Sequence, residues 1–357
     1  MRVSVLGVGL IGGSIGLASR RRAKAEVCGY DPDEGVRAKA LELGAIDTQA
    51  ADVASAVAGA DVVFAAAPIG SLAALVREAL ASAPADCVVS DVGSTKRALA
   101  AAVADERFIG GHPLAGAETA GVEHAREDLF DGATWYLTPA SGTAGVLYER
   151  LHRLLTSIGA RPAAVDPETH DRLLACVSHM PHVLANLLAD QAAHVLSGQH
   201  EERLPAVGPS FRDATRVAGA NSAIWTDIYL SNRDALIAGI DEFEARLRHA
   251  RATLRAGDPV AVRAWNERAR EHRETLLGAG VTGGPVHELR VSVPNRPGVI
   301  ADIALVLGRA GVNIVDMALS PSEDNRQGVV ALWIGGDEHA ARAQALIGDL
   351  GFPVVRA

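Results

Sequence analysis

The chain has 357 residues, long enough for two or three domains with separate cores. With 48% hydrophobic and 22% charged residues it has the balance of a globular protein. A formal net charge of −9 argues against non-specific binding to nucleic acid or to an anionic membrane, so an anionic ligand would need a local cationic site. Three cysteines, Cys28, Cys87 and Cys176, show no paired spacing. Cys28 and Cys87 fall in predicted buried strands and read as core thiols of a reducing compartment. No leader-like segment stands before the first strand and no apolar run reaches membrane-spanning length, so a cytoplasmic location is expected.

The first thirty residues set the organisation. Val3, Val5 and Leu6 begin a short apolar strand, and Gly7, Gly9 and Gly12 follow in G-x-G-x-x-G spacing. A helical pattern runs on through Leu10, Ile11, Ile15 and Leu17, and a second strand, Val27 to Tyr30, ends at Asp31. Gly7 allows the tight turn, Gly9 the approach of a pyrophosphate, and Gly12 the close packing of helix on strand. Unpaired N–H groups at the helix start face the phosphates. A carboxylate at Asp31 can accept both ribose hydroxyls and would repel a 2′-phosphate, which favours NAD over NADP.

Alternating strands and helices continue to about residue 165. Glu34–Leu43 reads as a helix, Asp61–Ala66 as a buried strand before Pro68, Ser71–Ala81 as a helix and Cys87–Ser90 as a strand leading to Ser94. Arg107–Ile109 precedes the loop holding His112, and Thr134–Leu137 and Arg161–Val165 flank the helix Gly145–Ser157. This order predicts an α/β, Rossmann-type, doubly wound and mostly parallel sheet over residues 1–165, with ligands beyond the carboxyl ends of its strands. Residues 166–280 read as all-α, with loops near Gly198 and Pro205–Pro209 and apolar stripes such as Val183, Leu187, Leu236 and Phe243. Such helices often pair across a two-fold axis, so a homodimer is expected. After the glycine-rich stretch Gly278–Pro285, residues 286–357 follow a βαββαβ order, a small ferredoxin-like unit.

The motifs LGVGLIGGSIGLA, DVGSTK, GGHPLAG, SHMPH and FRDATR followed by Trp225 together resemble the prephenate/arogenate dehydrogenase family of tyrosine biosynthesis. The last unit, with VPNRPGVIADIA and GVNIVDM, resembles an ACT domain, a module that often binds amino acids. The resemblance implies NAD-dependent oxidative decarboxylation of prephenate or of arogenate. Hydride leaves ring C4, the C4 hydroxyl loses a proton and CO2 departs. Such a site needs a base near neutral pKa and cations for carboxylates.

His112 suits the base, since imidazole titrates near the working pH, and the resemblance assigns it that role. Ser94 matches a family serine that contacts histidine and substrate hydroxyl, and it also reads as a helix N-cap. Arg216 matches the family's carboxylate clamp, a task for which a permanently charged, bidentate guanidinium is fitted. His182 and Trp225 match substrate-side residues, although Trp225 also reads as a core residue. His179 is expected to be structural. His179 and His182 stand three apart, but no third ligand at fitting spacing appears, so no metal is expected. Glu118 and Arg212 are a candidate gating pair. Ala117 stands where the family often has a hydroxyl, which Thr119 could replace. In the ACT-like unit, Asn295, Gly298 and Asn313 are the effector candidates, and the glycine-rich stretch suggests a regulatory brake separable from catalysis.

Other readings are weaker. A β-hydroxyacid dehydrogenase needs a lysine on its second domain, and no lysine follows Lys96. A phosphoglycerate-type dehydrogenase inserts its nucleotide domain into another, whereas this fingerprint starts near residue 2. A non-enzymatic sensor would not need Ser94 and His112 together.

Overall fold

The structure, a computed structural model, describes residues 1–116, 119–197, 207–278, 285–322 and 327–356. Two compact units emerge, Met1–His170 with Gly284–Ala357, and Asp171–Gly283.

In the first unit the strands are β1 (Arg2–Leu6), β2 (Glu26–Tyr30), β3 (Thr48–Gln49), β4 (Val62–Ala65), β5 (Val88–Asp91), β6 (Phe108–Pro113), β7 (Thr134–Pro139) and β8 (Arg161–Ala164). The helices are α1 (Leu10–Arg21), α2 (Glu34–Glu42), α3 (Val53–Val57), α4 (Ile69–Ser82), α5 (Arg97–Ala102), α6 (Gly145–Ser157) and the start of α7 (Pro167–Leu174), whose last four residues belong to the second unit. The sheet order is β3-β2-β1-β4-β5-β6-β7-β8. The chain reverses its winding direction between β1 and β4, which places a ligand crevice at their carboxyl ends. All pairs are parallel except β6 with β7. Both faces of the central strands are covered, so β4 reads as a continuous apolar run and even Ser4 of β1 and Ser90 of β5 are buried. Cys28 and Cys87 lie in this core as expected, and burial pushes the Cys87 thiol up to about 12.

Two sequence expectations are corrected here. GGHP is no loop, because Gly110 to Pro113 continue β6 and pair with β7, His112 opposite Tyr136. Ser94 is no helix cap, because α5 starts three residues later, at Arg97, with Lys96 in the cap position.

The second unit is helical throughout its described part. It comprises a π-helical turn (Ala175–His179), α8 (Met180–Ser197), α9 (Pro209–Thr215), a 3-10 turn (Arg216–Gly219), α10 (Ser222–Ser231), α11 (Arg233–Ala256) and α12 (Pro259–Gly278). Leu236 is buried and Val183 and Phe243 half-buried, but Leu187, expected inside, is 59% exposed. Leu230, Leu247 and Leu254 are also exposed. Among the described residues no helix is long and apolar enough to cross a membrane.

The last segment forms β9 (Val286–Pro294), α13 (Val299–Arg309), β10 (Ile314–Pro321), β11 (Gln327–Gly335), α14 (Asp337–Asp349) and β12 (Val354–Arg356). Its antiparallel order, β10-β11-β9-β12, is that of the expected ferredoxin-like unit. The preceding glycine-rich stretch lies mostly outside the described residues. This domain shares a core with the nucleotide-binding half. Leu147, Leu151 and Leu154 of α6 belong to one apolar cluster with Ile300, Ile303, Leu307 and Met317. The Gly298 N–H donates to the Thr143 carbonyl (3.0 Å), and Arg309 pairs with Asp166 (3.2 Å). Cutting the chain at the linker would bare this seam, so point variants are the cleaner probe of regulation.

His152 sits in the seam, on α6, which packs against β10. It is fully buried, and the backbone of Ile314 and the Asp316 carboxylate only partly offset that burial. Desolvation lowers its pKa to about 4. The unfolded chain therefore binds a proton near pH 6.5 that the folded chain refuses until about pH 4. Stability contributed by neutral His152 is complete above pH 6.5 and falls as pH drops through this window, by roughly 3 kcal/mol at the limit. Urea midpoints measured at pH 7 and pH 5 should differ less for His152→Phe than for the parent. Equal differences would refute the assignment.

Candidate active site

Five strand ends build the site of the first unit. At β1, Gly7 has φ +95° and its missing Cβ leaves room for the Ala66 carbonyl, while a Cβ at Gly12 would strike the Gly7 carbonyl. Gly9 is different. A Cβ there would meet nothing within 4 Å, so its face is open. Gly9 also caps α1 without any side-chain hydrogen bond, and the first turn, which includes Leu10 and Ile11, holds no acid. An uncapped helix start behind an open glycine is a cradle for a diphosphate. Asp31 ends β2. Its Oδ2 accepts from the Val8 N–H (3.1 Å) and its Oδ1 from the Asp33 N–H (3.1 Å), which fixes the carboxylate beside the glycine turn with lone pairs to spare. Pro68 lies exposed at the start of α4, just past the end of β4. These residues fit a dinucleotide.

At β5 the chain buries a charge. Asp91 and Lys96 are 0% and 1% exposed and form an ion pair. The Asp91 carboxylate also accepts from the Gly93 N–H (2.7 Å) and, across the sheet, from the Gly111 N–H (3.0 Å). One carboxylate thus ties the loop bearing Ser94 to the strand bearing His112. Ser94 is half-buried, and its hydroxyl makes no hydrogen bond to a described side chain, His112 included. His112 is buried near the end of β6, with Nδ1 2.9 Å from Nε2 of the fully buried His170 on α7.

The second unit gathers another group. The His182 ring stacks on Trp225 with centroids 3.6 Å apart and planes at 11°. His182 Nδ1 is hydrogen-bonded to the Tyr229 hydroxyl, and the Asn186 amide donates to that hydroxyl (3.3 Å). Burial lowers the His182 pKa, so the ring is neutral at pH 7. The backbone of Val217 also reaches the ring and opposes the effect of burial. Trp225 is half-buried, a lid on His182 more than a core residue. His179 is buried, with Nδ1 3.1 Å from the Asn232 amide, whose Nδ2 also donates to the Asp171 carbonyl (2.7 Å). Asn232 thereby braces the π-helical turn. Arg216 opens the 3-10 turn and is exposed. Arg212 donates to the Val207 carbonyl (3.1 Å), and its suggested partner Glu118 lies outside the described residues, as does Ala117.

The ACT-like domain has a cavity of about 490 Å³, walled by Asn295, Arg296, Pro297 and Gln327 and by Gly145 and Glu149 of α6. Asn295 lines it; Gly298 and Asn313 do not. Burial raises the Glu149 carboxyl above the ordinary range, against the lowering effect of Arg153.

Comparison with known proteins gives a full-length match. The chain is 31% identical to the prephenate dehydrogenase of Bacillus subtilis over 354 residues, 97% of this chain and 95% of that one. The chain belongs to the prephenate dehydrogenase family. Its residues 15–163 match the family's nucleotide-binding domain, 166–265 its dimerization domain, and 287–335 the ACT domain. A cyclohexadienyl dehydrogenase of Zymomonas mobilis is 33% identical over 72% of this chain and 89% of its own. The crystal structure of prephenate dehydrogenase from A. aeolicus in complex with hydroxyphenyl propionate and NAD+ superposes with a TM-score of 0.71 at 29% identity, covering 77% of this chain and 98% of that one.

Sequence reading missed four participants. Asp91 and Lys96 stood inside DVGSTK, and two charges five residues apart at the end of an apolar strand were a readable signal. Tyr229 follows Trp225 by one helical turn, a weaker signal. His170 had none, because only the packing of α7 brings it to β6.

Proposed function

We infer that this protein is an NAD-dependent prephenate dehydrogenase, converting prephenate to 4-hydroxyphenylpyruvate and CO2 in tyrosine biosynthesis. The full-length likeness to the Bacillus subtilis enzyme carries this reading. NAD+ accepts the hydride from ring C4. The chain's part is to hold, orient and deprotonate. The open face of Gly9 and the uncapped start of α1 take the diphosphate, and Asp31 takes the ribose hydroxyls. His112 accepts the C4 hydroxyl proton as the hydride departs, and the Ser94 hydroxyl, which can donate and accept at once, orients that oxygen. Arg216 clamps a carboxylate, and His182, held by Tyr229, contacts the substrate side chain with Trp225 over its face. NADH formation with prephenate, followed spectrophotometrically, tests the reading. Turnover with neither prephenate nor arogenate would end it.

Arogenate is the second candidate substrate, favoured by the likeness to a cyclohexadienyl dehydrogenase. The two substrates differ only in a keto or amino group on the side chain, so paired kcat/KM values decide.

NAD+ should be used well and NADP+ poorly. Asp31→Ala removes an acceptor from ribose and from the Val8 N–H. It should raise KM for NAD+ about tenfold, the scale of one charged hydrogen bond, without worsening NADP+. An unchanged preference would refute the role of Asp31.

The protein acts as a homodimer in which the exposed leucines of α8, α10 and α11 are covered by a second copy. The effector site is the 490 Å³ cavity beside Asn295, with room for an amino acid whose carboxylate meets Arg296 and whose ammonium meets Glu149. Arg296→Ala should abolish inhibition by tyrosine or another aromatic amino acid while leaving uninhibited turnover within about twofold. Intact inhibition in that variant would move the site elsewhere.

A further inference from the structure

The contact between His112 and His170 has a chemical consequence. A hydrogen bond between two imidazoles needs one N–H and one lone pair, so their 2.9 Å contact allows two neutral arrangements. In one, His112 Nδ1–H donates to His170 Nε2, and His112 Nε2 is left with a lone pair. In the other, His170 Nε2–H donates to His112 Nδ1, and His112 Nε2 carries a hydrogen and cannot act as a base. Only the first serves the reaction.

We propose, on the reading that His112 is the base, that His170 is a positioning residue that holds His112 as its Nδ1–H tautomer and stabilises the charge it acquires. His170 is equipped to do so. Its ring is fully buried and stands edge-on to His112 (centroids 5.1 Å, 66°) and to Tyr136 (5.6 Å, 87°), the residue opposite His112 in the β6–β7 register. Three rings from β6, β7 and α7 thus fix one another. At the chemical step the C4 O–H bond breaks, its proton goes to His112 Nε2, and its electron pair forms the carbonyl as hydride leaves. His112 is then an imidazolium, and Nδ1–H···Nε2 becomes a charge-assisted bond, stronger than before. The two rings titrate as a unit that accepts one extra proton, since a second would set two charges 2.9 Å apart. Around the pair stand Tyr136, whose phenol burial holds above its ordinary range, the Asp91–Lys96 pair, whose carboxylate accepts from the Gly111 N–H beside His112, and at the start of α7 Asp166, itself bound to Thr169 and Arg309.

His170→Phe keeps the ring and removes the acceptor, whereas His170→Gln can return an acceptor oxygen. His170→Phe should lower kcat about tenfold, the effect of losing one oriented hydrogen bond, with KM for prephenate and NAD+ affinity within about twofold. The acid limb of its kcat/KM profile should move to lower pH, because protonated His112 has lost its acceptor. His170→Gln should recover most of kcat. A His170→Phe enzyme with the parent's kcat and acid limb overturns the proposal, as does a Gln variant no better than Phe. Should His170→Phe fail to fold, ¹⁵N imidazole spectra of the parent decide, since an Nε2–H tautomer at His112 overturns it. His112→Asn separates the two levels. If it is inactive while His170→Phe is unaffected, only the positioning role falls. If it retains turnover, base and positioning role fall together.

Discussion

His112→Asn should lower kcat by roughly 10²-fold or more, the usual scale for losing a general base, and leave KM nearly unchanged. The reason lies in when the interaction forms. The C4 hydroxyl proton moves only as the hydride leaves, so the contact with His112 strengthens in the transition state and shows in kcat. Arg216→Gln is the matched contrast. A carboxylate is present in both ground and transition states, so its clamp shows in KM. Arg216 is exposed in this chain, so the loss is set near that of a charged hydrogen bond, about 1.5–3 kcal/mol, or roughly 10- to 150-fold in KM. NAD+ affinity, followed by fluorescence, should hardly change in either variant, because the diphosphate cradle is at Gly7–Gly12. A His112→Asn enzyme with near-normal kcat would remove His112 from the mechanism.

These expectations rest on features that were unequally legible in the sequence. The nucleotide-binding half was readable because its rules are local. Gly7, Gly9 and Gly12 have fixed spacing, and buried parallel strands such as Val62–Ala65 are unbroken apolar runs. The ferredoxin-like order was readable for the same reason, from alternation in β9 and helical periodicity in α13. What failed was non-local. GGHP looked like a loop because glycine and proline punctuate loops, yet Gly111 lies in a strand whose N–H is held by Asp91 twenty residues away. Leu187 looked like core because periodicity reports an apolar stripe and not what covers it. In one copy of the chain it is bare. The shared core of α6 with α13 and β10 joins residues more than 140 apart, and the glycine-rich stretch suggested independence instead.

The largest effect on stability is expected at Lys96. Asp91 and Lys96 are both cut off from solvent, and the Asp91 carboxylate is held by Lys96 and by the N–H groups of Gly93 and Gly111. Lys96→Met keeps the apolar stem and deletes the cation, which leaves an anion in a dry site with two neutral donors. Removing one partner of a buried pair costs about 3–5 kcal/mol, a large share of the 5–15 kcal/mol that holds a typical domain together. Urea unfolding should show that loss. The double variant Asp91→Asn/Lys96→Met should recover part of it, because a neutral amide oxygen still accepts from a backbone N–H and no charge remains buried. Turnover should fall in the single variant too, since the same carboxylate aligns the Ser94 loop with the His112 strand. If Lys96→Met unfolds at the parent's urea midpoint, the ion pair contributes nothing to the fold. The alignment of Ser94 and His112 must then come from the β5–β6 backbone pairing of Val89 and Ser90 with Phe108 and Ile109.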